Sequence, residues 1–412
     1  NQRLDKPYIK YNGKFEKASW DEVFNIIKSK FKNTDKEKIC GVSGDLVNME
    51  TLYIFKEFFN KTLGSYNVES RNDHTYLNPD KRENYLFNAS INGIEDADFI
   101  LLIGSNPRYE ATILNARIRK SYLQNKTKII SLNNVGDLTY PYESLNADIE
   151  NIKDIIEDKH RVSDLIKEAK KPLIIFGQSA LKSNSAKYIF ESIRTFLKKN
   201  KKISNDWNSL NIISENASTV GGFDLGLYKT KDGTNEVLKD LENNKFEIVY
   251  LLGQDGLKFK KQNEFIIYQG SHGDKGAEMA DIILPGAAYT EQNGFFTNLE
   301  GKLQKAYKAS YPPDEAKEDW LIINELAELI NHKKLFNDKD ELESSLINQI
   351  KLHIEKNNSK KSNDVTDLNF NKEILKIRNE DYYYSNVIAR ASKTMFECKK
   401  NKTNFKSTGT DG

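Results

Sequence analysis

The chain has 412 residues, 38% of them hydrophobic and 30% charged, with 62 basic against 60 acidic side chains and a net charge of +2. That length can bury a full core and exceeds one typical domain. No run approaches the roughly 18 apolar residues needed to span a membrane, and the near-balance of charge argues against a dedicated nucleic-acid binder.

In chain order, Lys6 to Glu16 reads as a hairpin turning at Asn12-Gly13. A helix follows, with Ser19 and Glu22 at capping-box spacing and Val23, Phe24, Ile27 and Phe31 on one face. Residues 39–44 form a short strand ending in glycine. A second helix runs from Asn48 to Leu63, with Gly64 just past its end. Phe99 to Ile103 is apolar on both faces, as a buried parallel strand is. It leads through Gly104-Ser-Asn-Pro-Arg108 into a helix from Glu110 to Gln124 and a strand from Lys128 to Leu132, a βαβ unit.

Asp148 to Lys170 is a charged helical bridge. The pattern then restarts with strands at Leu173–Phe176, Asn211–Ser214, Glu247–Leu252 and Phe265–Tyr268 and a helix over Ser185–Lys198. Phe99–Arg108 and Ile248–Leu257 echo each other, each a buried strand followed by glycine and an amide or acid. Two Rossmann-like lobes facing across a cleft are expected. Gly104-Ser-Asn, Gly253-Gln-Asp and Gly270-Ser-His would then lie at the carboxyl edge of the strands, where open parallel sheets hold ligands. After Gln304 come helices, from Asp314 to Asn331 and from Asp338 to Glu355. A polar loop follows from Asn357 to Asp367, and a disordered tail is expected from Asn401. The expected division is 1–150 for the first lobe, 151–310 for the second, 311–370 for a helical extension and 371–412 for a last segment and tail.

The chemistry-bearing residues are sparse. Asp73-His74 and His272-Gly273-Asp274 read as turns, because no HxxxH, HExxH or CxxC spacing accompanies them. Cys40 and Cys398 stand at opposite ends, too few for an iron–sulfur cluster of about four thiolates, and a reducing compartment is expected. The glycine turns lack the full dinucleotide or P-loop order, which leaves a nucleotide-binding module as a minor possibility. Arg117, Arg119 and Lys120 share a helix that faces either solvent or an acidic neighbour. The polar groups of Glu291–Gly294 and Asn298–Gly301 sit beside Phe295 and Phe296, where buried polar atoms need partners; bracing between the lobes is expected of them.

Several blocks carry a resemblance: Ile94–Ala111, Leu114–Lys120, Ser218–Gly226, Gln269–Glu291 with Asn298–Gly301, and Ala389–Met395. They resemble the large iron–sulfur subunit of respiratory complex I, within the wider molybdopterin oxidoreductase fold group. Lys302 stands where that group has Arg. The resemblance implies an α/β fold of two Rossmann-like lobes with parallel sheets, a helical C-terminal extension and a tail. It implies a non-catalytic scaffold of the NADH:ubiquinone oxidoreductase hydrophilic arm, supporting electron transfer from NADH to quinone. Its expected partners are the other arm subunits, including a cluster-bearing segment and the flavin subunit.

No catalytic, cofactor-binding or metal-binding residue is expected in this chain. The iron–sulfur clusters would lie on an N-terminal part or a separate polypeptide, since the chain starts with Asn near where that part would end. The alternative, a formate dehydrogenase-like catalytic subunit, would need a metal ligand and a closing barrel, and no strand run for a barrel follows Gln304. The Lys-, Asn- and Ile-rich composition reads as AT-rich coding. It favours the matrix side of a mitochondrial inner membrane over the cytoplasmic face of a bacterial one.

Overall fold

The protein is described by a computed structural model covering residues 3–360, 365, 368–378, 381 and 384–404. Strands β1 (Tyr8–Tyr11) and β2 (Lys14–Lys17) form the expected hairpin, with Asn12 and Gly13 at positive φ. Strands β3 (Ile39–Ser43) and β4 (Val68–Glu69) follow. Next come β5 (Phe99–Ile103), β6 (Lys128–Ser131), β7 (Glu143–Ser144), β8 (Pro172–Phe176) and β9 (Leu210–Ile212). A small hairpin joins β10 (Thr230–Lys231) to β11 (Thr234–Asn235). The chain then builds β12 (Ile248–Leu252), β13 (Phe265–Gly270) and β14 (Ile282–Pro285), and a hairpin of β15 (Gly294–Thr297) and β16 (Leu303–Ala306).

The strands form two main sheets. One has seven strands in the order β2-β1-β14-β13-β12-β3-β4, parallel except that β1 is antiparallel to both β14 and β2. The other has five parallel strands in the order β7-β6-β5-β8-β9. Side chains alternate between the faces of a strand, and here both faces are covered. Ile248, Tyr250 and Leu252 meet the helices Trp20–Lys32, Met49–Glu57 and Asp319–Asn331, while Val249 and Leu251 pack on Val237, Leu238 and Leu241. Phe99, Leu101 and Ile103 likewise join one core and Ile100 and Leu102 the other. This two-sided burial is why these runs read as continuously apolar.

The helices start where the sequence places their caps. Ser19 and Glu22 form a reciprocal capping box, and Val23, Phe24, Ile27 and Phe31 are the buried face. The second helix departs from expectation in its last turn. Regular α-helix ends at Glu57, and Phe58–Leu63 continues as π-helix before Gly64 turns at φ 69°. Phe55, Phe58 and Phe59 all crowd Tyr250 there.

The sheets do not follow the expected divisions at 150, 310 and 370. The seven-stranded sheet takes strands from both Tyr8–Glu69 and Ile248–Pro285, and the five-stranded sheet is built between Phe99 and Ile212. The physical reason is pairing: β12 inserts between β3 and β13, so chain order and sheet order part company. The helices Asp319–Asn331 and Lys339–Ser359 are no separate extension. Trp320, Ile322, Ile323, Leu326, Leu342, Leu346 and Ile350 complete the core under the seven-stranded sheet. Leu375 docks in the core of the five-stranded lobe instead. The expected tail lies outside the described residues beyond 404, and Asn401 to Asn404 end a helix, Lys393–Asn404. Of the loop expected from Asn357 to Asp367, the helix runs on to Ser359, and residues 361–364 and 366–367 lie outside the described set.

Candidate functional site

The loops that leave the parallel strands converge between the two sheets. Gly44 ends β3 and Gly253 ends β12, and their backbones touch: a Cβ on Gly44 would stand 1.8 Å from the Gly253 carbonyl oxygen. Gly104 ends β5 at φ +60°, pressed against Ala180. Side chains knit the loops of the seven-stranded sheet. Gln254 Nε2 donates to the Ser43 carbonyl (2.8 Å). Asp255 accepts from Tyr268 Oη (2.9 Å) and from the Gly276 amide (3.0 Å). Asp319, at the start of its helix, accepts from Gln269 Nε2 (2.8 Å) and Gln292 Nε2 (2.7 Å).

Other bonds cross between the lobes. Asn216 Nδ2, just past β9, donates to Asp45 Oδ1 (2.9 Å), just past β3. Ser218 Oγ donates to the Gly44 carbonyl (2.7 Å). The Phe87 amide donates to the Leu299 carbonyl (2.8 Å), and the Ile91 amide to Glu300. The Asn298–Gly301 segment therefore does brace the two lobes, and Glu291 pairs with Arg3.

Between the strand ends lies a cavity of about 590 Å³. Asp45, Glu110, Glu215 and Asp381 are among the described residues lining it, and Arg390 is the single basic one among them. Burial, reinforced by Glu215, pushes the Asp45 carboxyl up to about 7 although Arg390 and Lys182 oppose it. Burial likewise pushes Asp255 up to about 6, against its two hydrogen bonds.

Glu215 pairs with Lys182 and Asp381 with Lys399, so part of the acidic lining is already offset by cations outside the cavity. A pterin dinucleotide, the group clasped by relatives in the wider fold group, carries phosphates, and Arg390, the single cation among the described lining residues, is already taken by Asp274. Ser43 Oγ, Ser105 Oγ and Asn106 Oδ1 are buried at strand ends without a protein partner, yet none of the three lines the cavity. The residues present do not fit that cofactor.

A segment of the chain itself reaches this place. Asn386 caps a short helix, Val387–Arg390, by accepting from the Ala389 amide (2.9 Å). Val387 and Ile388 line a recess with Leu46, Val47, Gly253 and Gly270. Arg390 Nε donates to Asp274 Oδ2 (2.5 Å) and its Nη1 to the Tyr384 carbonyl (3.1 Å).

The residues singled out from sequence fall as follows. Gly104, Gly253 and Gly270 end their strands, the edge expected of them. Asp73 accepts from Thr75 and pairs with Lys182 (3.0 Å), and His74 faces Glu242 on the surface (3.1 Å). His272 Nδ1 meets Ser271 Oγ (3.0 Å). Arg117 and Lys120 both pair with Glu95, and Arg119 Nε donates to the Thr139 carbonyl (3.2 Å). These cations are thus engaged within the chain. Cys40 is fully buried in β3. Among the described residues, no group of three or more His, Cys, Asp or Glu could hold a metal ion, and no helix is long and apolar enough to cross a membrane.

Sequence reasoning missed Asp45, Glu215 and Arg390 as neighbours, because three distant segments supply them. The one available signal was Ala389–Met395, a specific block with no assigned task.

Comparison with known proteins agrees with this geometry. Residues 3–329 match the molybdopterin oxidoreductase family, and residues 341–398 match the C-terminal family of the NADH-ubiquinone oxidoreductase G-subunit. The NADH-ubiquinone oxidoreductase 75 kDa subunit of Reclinomonas americana is 37% identical, over 96% of this chain and 60% of its own. The NADH-quinone oxidoreductase G-subunit of Rickettsia bellii is 38% identical, over 99% of this chain and 59% of its own. The mitochondrial 78 kDa subunit of Candida albicans is 36% identical, over 96% and 56%. The chain thus spans about six-tenths of the length of these relatives.

Among solved structures, acetylene hydratase from Pelobacter acetylenicus superposes with a TM-score of 0.58 at 14% identity, covering 86% of this chain and 65% of its own. The formyltransferase/hydrolase complex of Methylorubrum extorquens gives 0.56 at 11%, covering 79% and 99%. These two bear on the fold alone. With a family match over residues 3–329, two parallel sheets facing across a cleft, and similarity along nearly all its length to these NADH dehydrogenase subunits, the chain belongs to the molybdopterin oxidoreductase family.

Proposed function

We propose that the chain is a non-catalytic scaffold in the hydrophilic arm of an NADH:quinone oxidoreductase, supporting the passage of electrons from NADH to quinone. The observation that carries this reading is a cleft whose single lining cation among the described residues, Arg390, is held by Asp274 and so is not free for an anionic pterin, in a chain similar throughout to large NADH dehydrogenase subunits. No side chain of this chain is assigned a catalytic or cofactor-binding role. The iron–sulfur clusters belong to a cluster-bearing segment or separate polypeptide, which this chain holds near the flavin subunit. Its place is the matrix side of a mitochondrial inner membrane, with the cytoplasmic face of a bacterial inner membrane as the alternative. Relatives of both kinds support that pair of locations.

The test is deletion of the chain followed by native separation of the complex. The expected result is failed or partial assembly of the arm. A fully assembled complex with only slower electron transfer would sink the scaffold reading. The match over residues 3–329 favours one competitor, a catalytic molybdenum oxidoreductase. Elemental analysis of the purified chain separates the two: near one molybdenum or tungsten per chain would overturn the scaffold reading, and a colourless chain without stoichiometric iron is expected.

A further inference from the structure

The C-terminal segment touches both lobes. On the five-stranded side, Leu375 is 1% exposed in the core, its amide donates to the Ala147 carbonyl (2.8 Å), and its own carbonyl accepts from Asn133 Nδ2 (2.7 Å). The Arg378 amide donates to Ser179 Oγ (2.8 Å). On the seven-stranded side, Val387 and Ile388 line one recess with Leu46, Val47, Leu252, Gly253, Gly270 and Ser271. These are the ends of β12 and β13 and the loop after β3, the position where open parallel sheets hold their ligands. Arg390 brings a guanidinium to Asp274 and opposes the negative field on Asp45 and Asp255. Arginine suits partly buried carboxylates because its charge is permanent and its donors form a fixed fork. Ala389 and Arg390 present their other side to the large cavity, whose far wall includes Tyr109 and Gln178 from the five-stranded lobe.

The boundary of the family matches points the same way. The molybdopterin oxidoreductase match stops at residue 329, and the match to the NADH dehydrogenase C-terminal family covers 341–398. The segment that lies on the strand ends therefore belongs to the part of the chain that sets it apart from the wider molybdopterin oxidoreductases.

We propose that residues 384–395 are the cleft's own ligand: an internal peptide, apolar at Val387 and Ile388 and cationic at Arg390, that occupies the strand ends and ties the two lobes into one rigid body. This deepens the scaffold reading and rests on it, since the strand ends where open parallel sheets take their ligands are held by the chain's own segment.

The test is hydrogen exchange on the full chain, comparing the parent with Ile388→Asp and Arg390→Glu. The expected result is at least tenfold faster exchange in the loops 253–256 and 270–274, with protection at β5 and β8 unchanged. Reversing both charges, Arg390→Glu with Asp274→Arg, is expected to restore slow exchange in those loops. Loop exchange equal to the parent in both single variants would overturn the proposal. Should Ile388→Asp also lose protection at β5 and β8, Ile388→Ala and Arg390→Gln are read by the same criterion, and unchanged loops in that pair overturn it equally. The assembly experiment reads the scaffold role separately: loops that open in the variants, together with a complex that still assembles when the chain is deleted, would keep the strap and sink the scaffold, and the converse pair of results would do the reverse.

Discussion

Arg82 and Asp224 form a two-pronged ion pair across the lobes: Nε to Oδ1 at 2.8 Å and Nη2 to Oδ2 at 2.7 Å, with the Asp224 side chain fully buried. Asp224 sits on the helix Thr219–Leu225 and also accepts from Tyr85 Oη (3.0 Å). Arg82 Nη2 reaches on to the Gly301 carbonyl (2.8 Å). Removing one partner of a buried pair strands the other charge, which costs about 3–5 kcal/mol. Arg82→Ala is therefore expected to destabilise the chain by about that much in urea unfolding. Arg82→Lys should recover only part of the loss, because an ammonium cannot make both bonds in one plane.

Glu50 supplies a pH dependence. It is 1% exposed, its Oε2 accepts from the Phe295 amide (2.8 Å), and its Oε1 has no partner. Burial pushes its carboxyl from 4.5 up to about 7. Between those values the folded chain holds a proton that the unfolded chain releases, so stability from this group falls as pH rises through the window, by at most about 1.4 kcal/mol per pH unit. Glu50→Gln keeps an acceptor for Phe295 and is expected to flatten the decline between pH 4.5 and 7. Parallel slopes in the two proteins, followed by denaturant midpoints, would remove Glu50 as the cause.

The two cysteines should react very differently. Cys40 is fully buried, and burial raises its thiol well above the ordinary range, whereas Cys398 is partly exposed. Thiolate fraction and access control reactivity. Under native conditions one thiol per chain is expected to react with a disulfide reagent, and mass spectrometry should place the label on Cys398. Rapid labelling of both would mean that β3 opens.

The close approach of Gly44 to Gly253 gives a fourth prediction. A methyl group at residue 44 meets backbone, not a movable side-chain tip. Overpacking of that kind costs about 1–3 kcal/mol, and Gly44→Ala is expected at the upper end, measured by thermal or urea unfolding. Gly136 has nothing near its Cβ position but takes φ +78°. Its alanine variant should therefore be less costly, and the pair separates crowding from backbone strain.

Much of the fold was legible because its signals are local. Ser19 with Glu22, Asn12-Gly13 and the double-faced run Phe99–Ile103 each carry their structure within a few residues. The division into lobes was not legible, because β12 pairs with β3 across about 200 intervening residues, and no local pattern records which strands become neighbours. The cleft followed the same rule. Gly104, Gly253 and Gly270 could be placed at strand ends from their neighbours alone. The acidic lining could not, since Asp45, Glu215 and Arg390 meet only after folding. The π-turn at Phe58–Leu63 lies where three phenylalanines meet Tyr250, tertiary contacts invisible in helical periodicity.

The path of the backbone between the sheets has one more consequence. The chain leaves the seven-stranded lobe after Glu69 and re-enters it at the helix Thr219–Leu225, and the two passages lie side by side, the Ser70 amide donating to the Leu227 carbonyl at 2.9 Å. The five-stranded lobe is thus a cassette whose two ends meet at one point of its host, with the segment around Leu375 docked onto it from the C-terminal part. A few linking residues could close the host chain in its place, so the two lobes could have been acquired, exchanged or lost in separate steps.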